Sequence, residues 1–136
     1  MARVLIIDDD PFFSEFMRQA LSARAHEAAL ARDGREGERL FQGGAYDVVV
    51  CDLVMPDQEG IQTIRRMRAT NPDIAIVAVS GGVSQPVGAN IDYLAAAKHL
   101  GADVTLKKPF LPSALTRAVD DALDLRRHAR DAAGPA

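Results

Sequence analysis

The 136-residue sequence predicts one α/β domain built on a parallel sheet with helices on both faces. Short apolar runs rich in Val and Ile alternate with longer segments of helical periodicity, which indicates five successive βα units. Four apolar runs are also followed by residues able to bind phosphate or metal. They are Val4–Ile7 before Asp8-Asp9, Val48–Cys51 before Asp52, Ile74–Val79 before Ser80, and Val104–Leu106 before Lys107-Lys108.

The predicted elements follow from periodicity and from the residues that start and stop helices. Asp10-Pro11 provides an N-cap and a favoured first helical residue. Gly43-Gly44 and Gly101 end the second and fourth helices. A short strand is predicted at Ala28–Ala31, although alanine is a poor strand former. The predicted helices are 11–24, 35–43, one that follows the loop 53–60 and buries Ile61, Ile64 and Met67, 91–100, and 112–128. The folded domain is expected to span 1–128, with a flexible tail over 129–136.

Composition and charge exclude several classes of protein. The net charge is −3 and the pI is near 5.5, so no basic face for nucleic acid is expected. Arg126, Arg127 and Arg130 are assigned to the end of the last helix, where cations are favourable. The single cysteine, Cys51, lies in an apolar run and excludes an intramolecular disulfide. The chain starts without a signal peptide or membrane span, so we expect a cytoplasmic protein.

The polar residues at the strand ends are expected to form one site. In parallel sheets of this kind, ligands bind outside the carboxyl ends of the strands, so distant positions in the sequence converge there. Three carboxylates (Asp8, Asp9 and Asp52), the hydroxyl of Ser80 and the ammonium of Lys108 would then meet. Carboxylate oxygens suit Mg²⁺, and without metal their repulsion should raise the pKa of at least one of them.

The same positions also match a family pattern. An acidic pair follows the first strand, Asp52 is followed by x-x-Met-Pro-x-x-x-Gly, Ser80 follows the fourth strand, and Gly101-Ala102-Asp103 leads to Lys108-Pro109-Phe110. With these markers the chain resembles the receiver domain of bacterial two-component response regulators, of the single-domain type, over essentially its whole length. The resemblance implies a flavodoxin-like, doubly wound sheet of strand order 2-1-3-4-5.

The resemblance implies a role for each carboxylate. Asp52 would be the phosphoacceptor, which takes a phosphoryl group from a partner histidine kinase or histidine phosphotransfer protein. Mg²⁺ would be held by Asp8, Asp9, a carboxylate oxygen of Asp52 and the backbone carbonyl of Val54. The domain would act on a downstream protein target through protein–protein contacts, and would not be an enzyme beyond slow self-dephosphorylation.

Ser80 and Lys108 would contact the phosphoryl oxygens and couple phosphorylation to a change of shape. The family usually has an aromatic residue three positions before this lysine, where the present chain has Thr105. The segment from Ser80 to Lys108 is also longer than usual, with the surplus in the glycine-rich residues 81–90. We therefore expect the switch to comprise Ser80, Gly81, Gly82 and Thr105, with the loop as its main element.

Three alternatives stay open. An α/β phosphohydrolase also forms an aspartyl phosphate, but it usually has a second carboxylate two residues after the nucleophile, where this chain has Val54. A nucleotide- or flavin-binding module would need a phosphate-binding fingerprint, which Gly81-Gly82-Val83 does not provide. A third alternative is a receiver excised from a longer regulator. The three histidines share no spacing with other ligand types and are predicted to lie at the surface without metal: His26, His99 and His128.

Overall fold

Strands and helices alternate along the chain in the computed structural model, which describes residues 1–53, 59–80 and 93–133. The strands are β1 (Arg3–Ile7), β2 (Glu27–Ala31), β3 (Val48–Asp52), β4 (Ala75–Ser80) and β5 (Val104–Lys107). The helices are α1 (Pro11–Ser22), α2 (Gly34–Gly43), α3 (Glu59–Thr70), α4 (Tyr93–Leu100) and α5 (Pro112–Ala133). Every predicted strand and helix is therefore present, and only their ends differ.

The five strands form one parallel sheet of order β2-β1-β3-β4-β5. This confirms the doubly wound architecture and the strand order that the resemblance implied. The alanine-rich β2 is an edge strand, and its ladder with β1 runs from Arg3↔Glu27 to Ile7↔Ala31. Hydrogen bonding along β1 thus overrides the weak strand propensity of alanine. None of the described helices is long and apolar enough to cross a membrane.

The core consists of one apolar cluster on each face of the sheet. Alternate residues of β1 point to opposite faces, as the period of a strand requires. Val4 and Ile6 lie in a cluster with residues of α1 and α5, whereas Leu5 and Ile7 lie in a second cluster with residues of α2, α3 and α4. The side chains predicted to be buried in α3 lie in or against this second cluster: Ile61, Ile64 and Met67. Cys51 of β3 also lies in it. Both faces are therefore covered by helices.

Two helices end elsewhere than predicted. α1 stops at Ser22, and Ala25 adopts a positive φ of 63° while the His26 N–H donates to the Leu21 carbonyl. α5 continues past the predicted end at 128 to Ala133, because no glycine or proline interrupts it before position 134. The expected domain boundary at 128 thus lies inside a continuous helix.

A buried ionic cluster joins α3, β4 and α5 at the amino end of β5; we call it the Asp103 cluster, after Asp103, Arg68 and Arg126. The Asp103 side chain, 2% exposed, lies 2.9 Å from Arg68 and 2.5 Å from Arg126 in its nearest N···O contacts. Its Oδ2 also accepts the Ile76 N–H at 2.8 Å. Gly101, with φ +133°, packs directly against the Arg68 side chain. The prediction that Arg126 complements the end of the last helix is therefore wrong, since Arg126 lies before the last turn of α5 and binds a buried carboxylate.

Candidate functional site

Asp8 is fixed at the carboxyl end of β1 by hydrogen bonds on every side. Its backbone N–H donates to the Ala31 carbonyl of β2 at 3.0 Å, and its Oδ1 accepts the Asp10 N–H at 2.9 Å. The Ser14 hydroxyl donates to its backbone carbonyl at 3.3 Å. Only 1% of Asp8 is exposed. This carboxylate is therefore buried and oriented before any ligand arrives.

The turn after Asp8 separates two neighbouring acids with different roles. Asp10 caps α1, since its side chain accepts the N–H groups of Phe12 and Phe13, and Pro11 takes the first helical position as predicted. Asp9 is exposed. Its carboxylate is thus free of the capping role and available at the mouth of the site.

Lys108 brings the ends of β1, β3 and β4 together. Its ammonium nitrogen lies 3.1 Å from Asp8 Oδ2 and 3.4 Å from Asp52 Oδ2, and its backbone N–H donates to the Ser80 carbonyl at 2.8 Å. Asp52 and Ser80 are both buried, at the last positions of β3 and β4. The neighbouring Lys107 is exposed, as predicted. The convergence expected from the strand ends is therefore present.

The three carboxylates form a compact acidic cluster. One oxygen from each of Asp8, Asp9 and Asp52 lies within 4.8 Å of the others, and no other group of three such side chains is found in the described residues. Hard divalent cations such as Mg²⁺ prefer oxygen ligands of this kind and keep part of their water shell. The donor set and the open side at Asp9 therefore fit a magnesium ion.

Burial and charge act on the site in opposite directions. Burial raises the pKa of Asp8 above its ordinary value, and the Asp10 N–H and Lys108 only partly oppose this; Asp9 adds a smaller repulsion. Burial would lower the pKa of Lys108, but attraction by Asp52 and Asp8 outweighs it, so the pKa of Lys108 is raised. The prediction that one carboxylate has a raised pKa is confirmed, although desolvation is a larger cause than repulsion.

Gly60 fits the start of α3 tightly against the end of β3. A Cβ at this position would lie 2.2 Å from the Asp52 carbonyl oxygen and 2.7 Å from the Leu53 Cα. Any side chain would therefore displace the backbone that carries Asp52. The Leu53 N–H, in turn, donates to the Val79 carbonyl at 2.8 Å. The glycine of the x-x-Met-Pro-x-x-x-Gly pattern thus has a steric reason.

Part of the predicted site lies outside the described residues, namely Val54, Gly81 and Gly82. Thr105, the remaining predicted switch residue, is half-buried in β5 and pairs in register with Ala78. His26 accepts the Ala2 N–H at its Nδ1, at 2.9 Å, whereas His99 and His128 are exposed. None of the three histidines joins the acidic cluster.

Sequence reasoning missed an aromatic contact of the site. The Lys108 ammonium lies over the ring of Phe13, 4.1 Å from its centroid. In the sequence, Phe13 reads only as one of the apolar residues that recur along the predicted first helix. The signal available was its position three residues after the capping Asp10, which puts it on the first turn of α1 beside Asp8.

The sequence is similar to those of known proteins. The sequence model of the family "Response regulator receiver domain" matches residues 4–120. Response regulator MprA of Mycolicibacterium vanbaalenii is 34% identical over 108 residues, which cover 79% of this chain and 44% of the relative. The chain therefore spans less than half the length of this curated relative.

Solved structures agree on the fold. A response regulator receiver domain protein from Clostridium thermocellum has a TM-score of 0.82 and 25% identity, covering 95% of this chain and 99% of that one. A CheY-like receiver domain protein from Methanospirillum hungatei also has a TM-score of 0.82, at 23% identity, and covers 95% and 98%. Both likenesses extend over nearly all of each chain, so the architecture is that of a receiver domain.

Proposed function

Because this chain belongs to the response regulator receiver domain family, a family of signalling domains, we propose that it accepts a phosphoryl group on Asp52 from a phosphohistidine. The donor would be a partner histidine kinase or histidine phosphotransfer protein. One observation supports this assignment above all. A single ammonium, that of Lys108, lies within 3.1–3.4 Å of two buried carboxylates at the ends of different strands.

The proposed transfer is a direct displacement at phosphorus. A carboxylate oxygen of Asp52 forms the new O–P bond while the P–N bond to the donor histidine breaks, and the imidazole leaves as the neutral ring after it takes up a proton. Charge builds on the equatorial phosphoryl oxygens during this step. Lys108 supplies a positive charge beside them, and the Ser80 hydroxyl supplies a hydrogen-bond donor.

The residues that would hold Mg²⁺ are the carboxylates of Asp8, Asp9 and Asp52, with the backbone carbonyl of Val54 as a further proposed ligand. When bound, the ion would neutralise charge on the phosphoryl oxygens. Asp8 is held in place for this purpose by the Asp10 N–H. Asp9 is exposed and so leaves one side of the cluster open to a phosphodonor.

The experiment is phosphorylation with a small-molecule acyl phosphate, followed by intact-mass analysis. We expect one added phosphoryl group in the presence of Mg²⁺, none with a chelator, and none in Asp52→Asn. Asp124→Asn, which changes an exposed carboxylate of α5, is the matched control and should be labelled like wild type. Undiminished labelling of Asp52→Asn would assign the acceptor elsewhere and overturn the proposal.

The output is proposed to run through Ser80, residues 81–90 and Thr105, toward a downstream protein target. Threonine at 105 has no large ring to move between buried and exposed positions, so the glycine-rich segment is the better candidate for the switch. Hydrogen exchange of the Mg²⁺ form, with and without an acyl-phosphate mimic, should show slower exchange across 81–90 on activation. Unchanged exchange there, with changes confined to other segments, would contradict this output route.

A further inference from the structure

Within the described part of the chain, three side chains of two kinds contact the ammonium of Lys108. Two are the carboxylates of Asp8 and Asp52, and the third is the face of the Phe13 ring, 4.1 Å away. The lysine side chain is 17% exposed. A lysine has four rotatable bonds, so its head group keeps one position only where the surroundings restrict it. The Phe13 ring is uncharged, so, unlike the two carboxylates, it has no charge that a bound ligand could neutralise.

The Phe13 ring is itself restrained by two other rings. Its centroid lies 5.4 Å from that of Phe16 on α1 and 5.3 Å from that of Phe110, which it meets edge to face at 84°. Edge-to-face pairs at such distances are favourable beyond simple burial. Phe110 follows Lys108 by two residues, so the lysine and this ring belong to the same connection between β5 and α5, which packs against α1. The ring therefore presents a fixed face to the ammonium.

We propose that Phe13 is a positioning residue for Lys108, acting through the negative face of its ring. The inference rests on the proposed function, in which Lys108 acts on the phosphoryl oxygens. Once Asp8 and Asp52 engage a metal ion or a phosphoryl group, their hold on the ammonium weakens. The ring keeps attracting a cation whatever the carboxylates bind. It thereby holds the ammonium at the site through the transfer.

A spectroscopic test reads the lysine position without any phosphorylation. In the metal-free protein, protons of the Lys108 ε-methylene next to the ring face should be shifted upfield by the ring current. Phe13→Leu and Phe13→Met, two apolar replacements without a ring, should abolish this shift, whereas Phe13→Tyr should retain it. Phe12→Leu is the matched control, because it removes the neighbouring exposed ring of α1, which lies outside this ring cluster. An upfield shift that survives in Phe13→Leu would overturn the proposal.

A kinetic test reads the consequence for the proposed reaction. At saturating acyl phosphate and Mg²⁺, Phe13→Leu and Phe13→Met should be phosphorylated about two- to five-fold more slowly than wild type, the effect of one partly exposed cation–π contact. Phe13→Tyr should restore the rate, and Phe12→Leu should match wild type. Equal rates in wild type and both ringless variants would overturn the positioning role. Absence of phosphorylation in wild type would instead overturn the proposed function, while the methylene shift would still decide where the lysine lies.

Discussion

The two ends of the sheet each hold a buried carboxylate beside basic side chains, but in opposite proportions. In the Asp103 cluster, one carboxylate faces two guanidinium groups, those of Arg68 and Arg126. At the opposite end, three carboxylates lie together, and two of them, Asp8 and Asp52, bind the ammonium of Lys108. One end thus has an excess of positive charge and the other an excess of negative charge, in a sheet whose strands connect the two.

The difference separates a structural ion cluster from a binding site. Both oxygens of Asp103 are occupied, one by Arg126 and the other by Arg68 and the Ile76 N–H. The charge of Asp103 is thus fully paired, and what remains there is positive: burial and, to a smaller extent, repulsion by Arg126 lower the pKa of Arg68. At the acidic cluster, burial raises the pKa of Asp8 despite its bond to Lys108, which shows that compensation there is incomplete. An added cation would complete it.

The largest effect is expected at the Asp103 cluster. Asp103→Ala should lower the free energy of unfolding by about 3–5 kcal/mol, because it leaves two partly buried guanidinium groups without their carboxylate. Urea denaturation measures this. Asp124→Ala, which breaks an exposed pair with Arg127, is the control and should change the stability by less than about 0.5 kcal/mol. An equally small loss of stability in Asp103→Ala would mean that the two ends of the sheet do not differ in how their buried carboxylates are paired.

Metal should stabilise the protein only through the acidic end. At a Mg²⁺ concentration 100 times the dissociation constant, the free energy of unfolding should rise by about 2.7 kcal/mol. Asp9→Ala should lose most of this gain at the same Mg²⁺ concentration. In the absence of metal, Asp9→Ala should be as stable as wild type within about 0.5 kcal/mol, since Asp9 is exposed and its removal relieves repulsion. Thermal unfolding with and without metal decides both points, and a metal-free Asp9→Ala protein that melts well below wild type would contradict the second.

The smallest effect is a gain in stability with a defined pH dependence. Because the folded pKa of Asp8 is raised above its ordinary value of 3.8, its contribution to stability is present below that value and is lost as the pH rises through the folded pKa. At neutral pH the ionised carboxylate therefore destabilises the metal-free protein. The metal-free Asp8→Asn variant should be more stable than metal-free wild type by about 0.5–1 kcal/mol at pH 7. This difference in the free energy of unfolding should widen from about pH 4 upward. If the stability difference between Asp8→Asn and wild type narrowed with rising pH in the presence of a chelator, the excess of negative charge at the acidic cluster would be refuted.

The acidic site could be predicted from the sequence because its residues stand at strand ends. Once β1, β3 and β4 are assigned to a parallel sheet, Asp8, Asp52 and Ser80 must meet at one edge. The cap at Asp10 is local and follows from residue type and position. Topology and local chemistry thus determine these residues without knowledge of any side-chain contact.

The Asp103 cluster and the Phe13 contact could not be predicted in this way. Arg68 and Arg126 lie 35 and 23 positions from Asp103, and charged residues at such spacings have no periodicity that would pair them. Arg126 looked like a residue of the helix end because only its own helix was considered. Phe13 fits the apolar face of α1 equally well with or without a lysine above it. Side-chain direction across elements decides these contacts, and sequence patterns do not encode it.

The bridging position of Lys108 has a consequence for ion selectivity. Its ammonium is tethered to the backbone, so its local concentration at Asp8 and Asp52 does not depend on the composition of the solution. A monovalent cation such as K⁺ carries the same single charge and would have to compete against this intramolecular partner. A divalent cation carries twice the charge and is therefore attracted more strongly by the three carboxylates. We therefore expect the lysine to disfavour monovalent ions relative to divalent ions at this site.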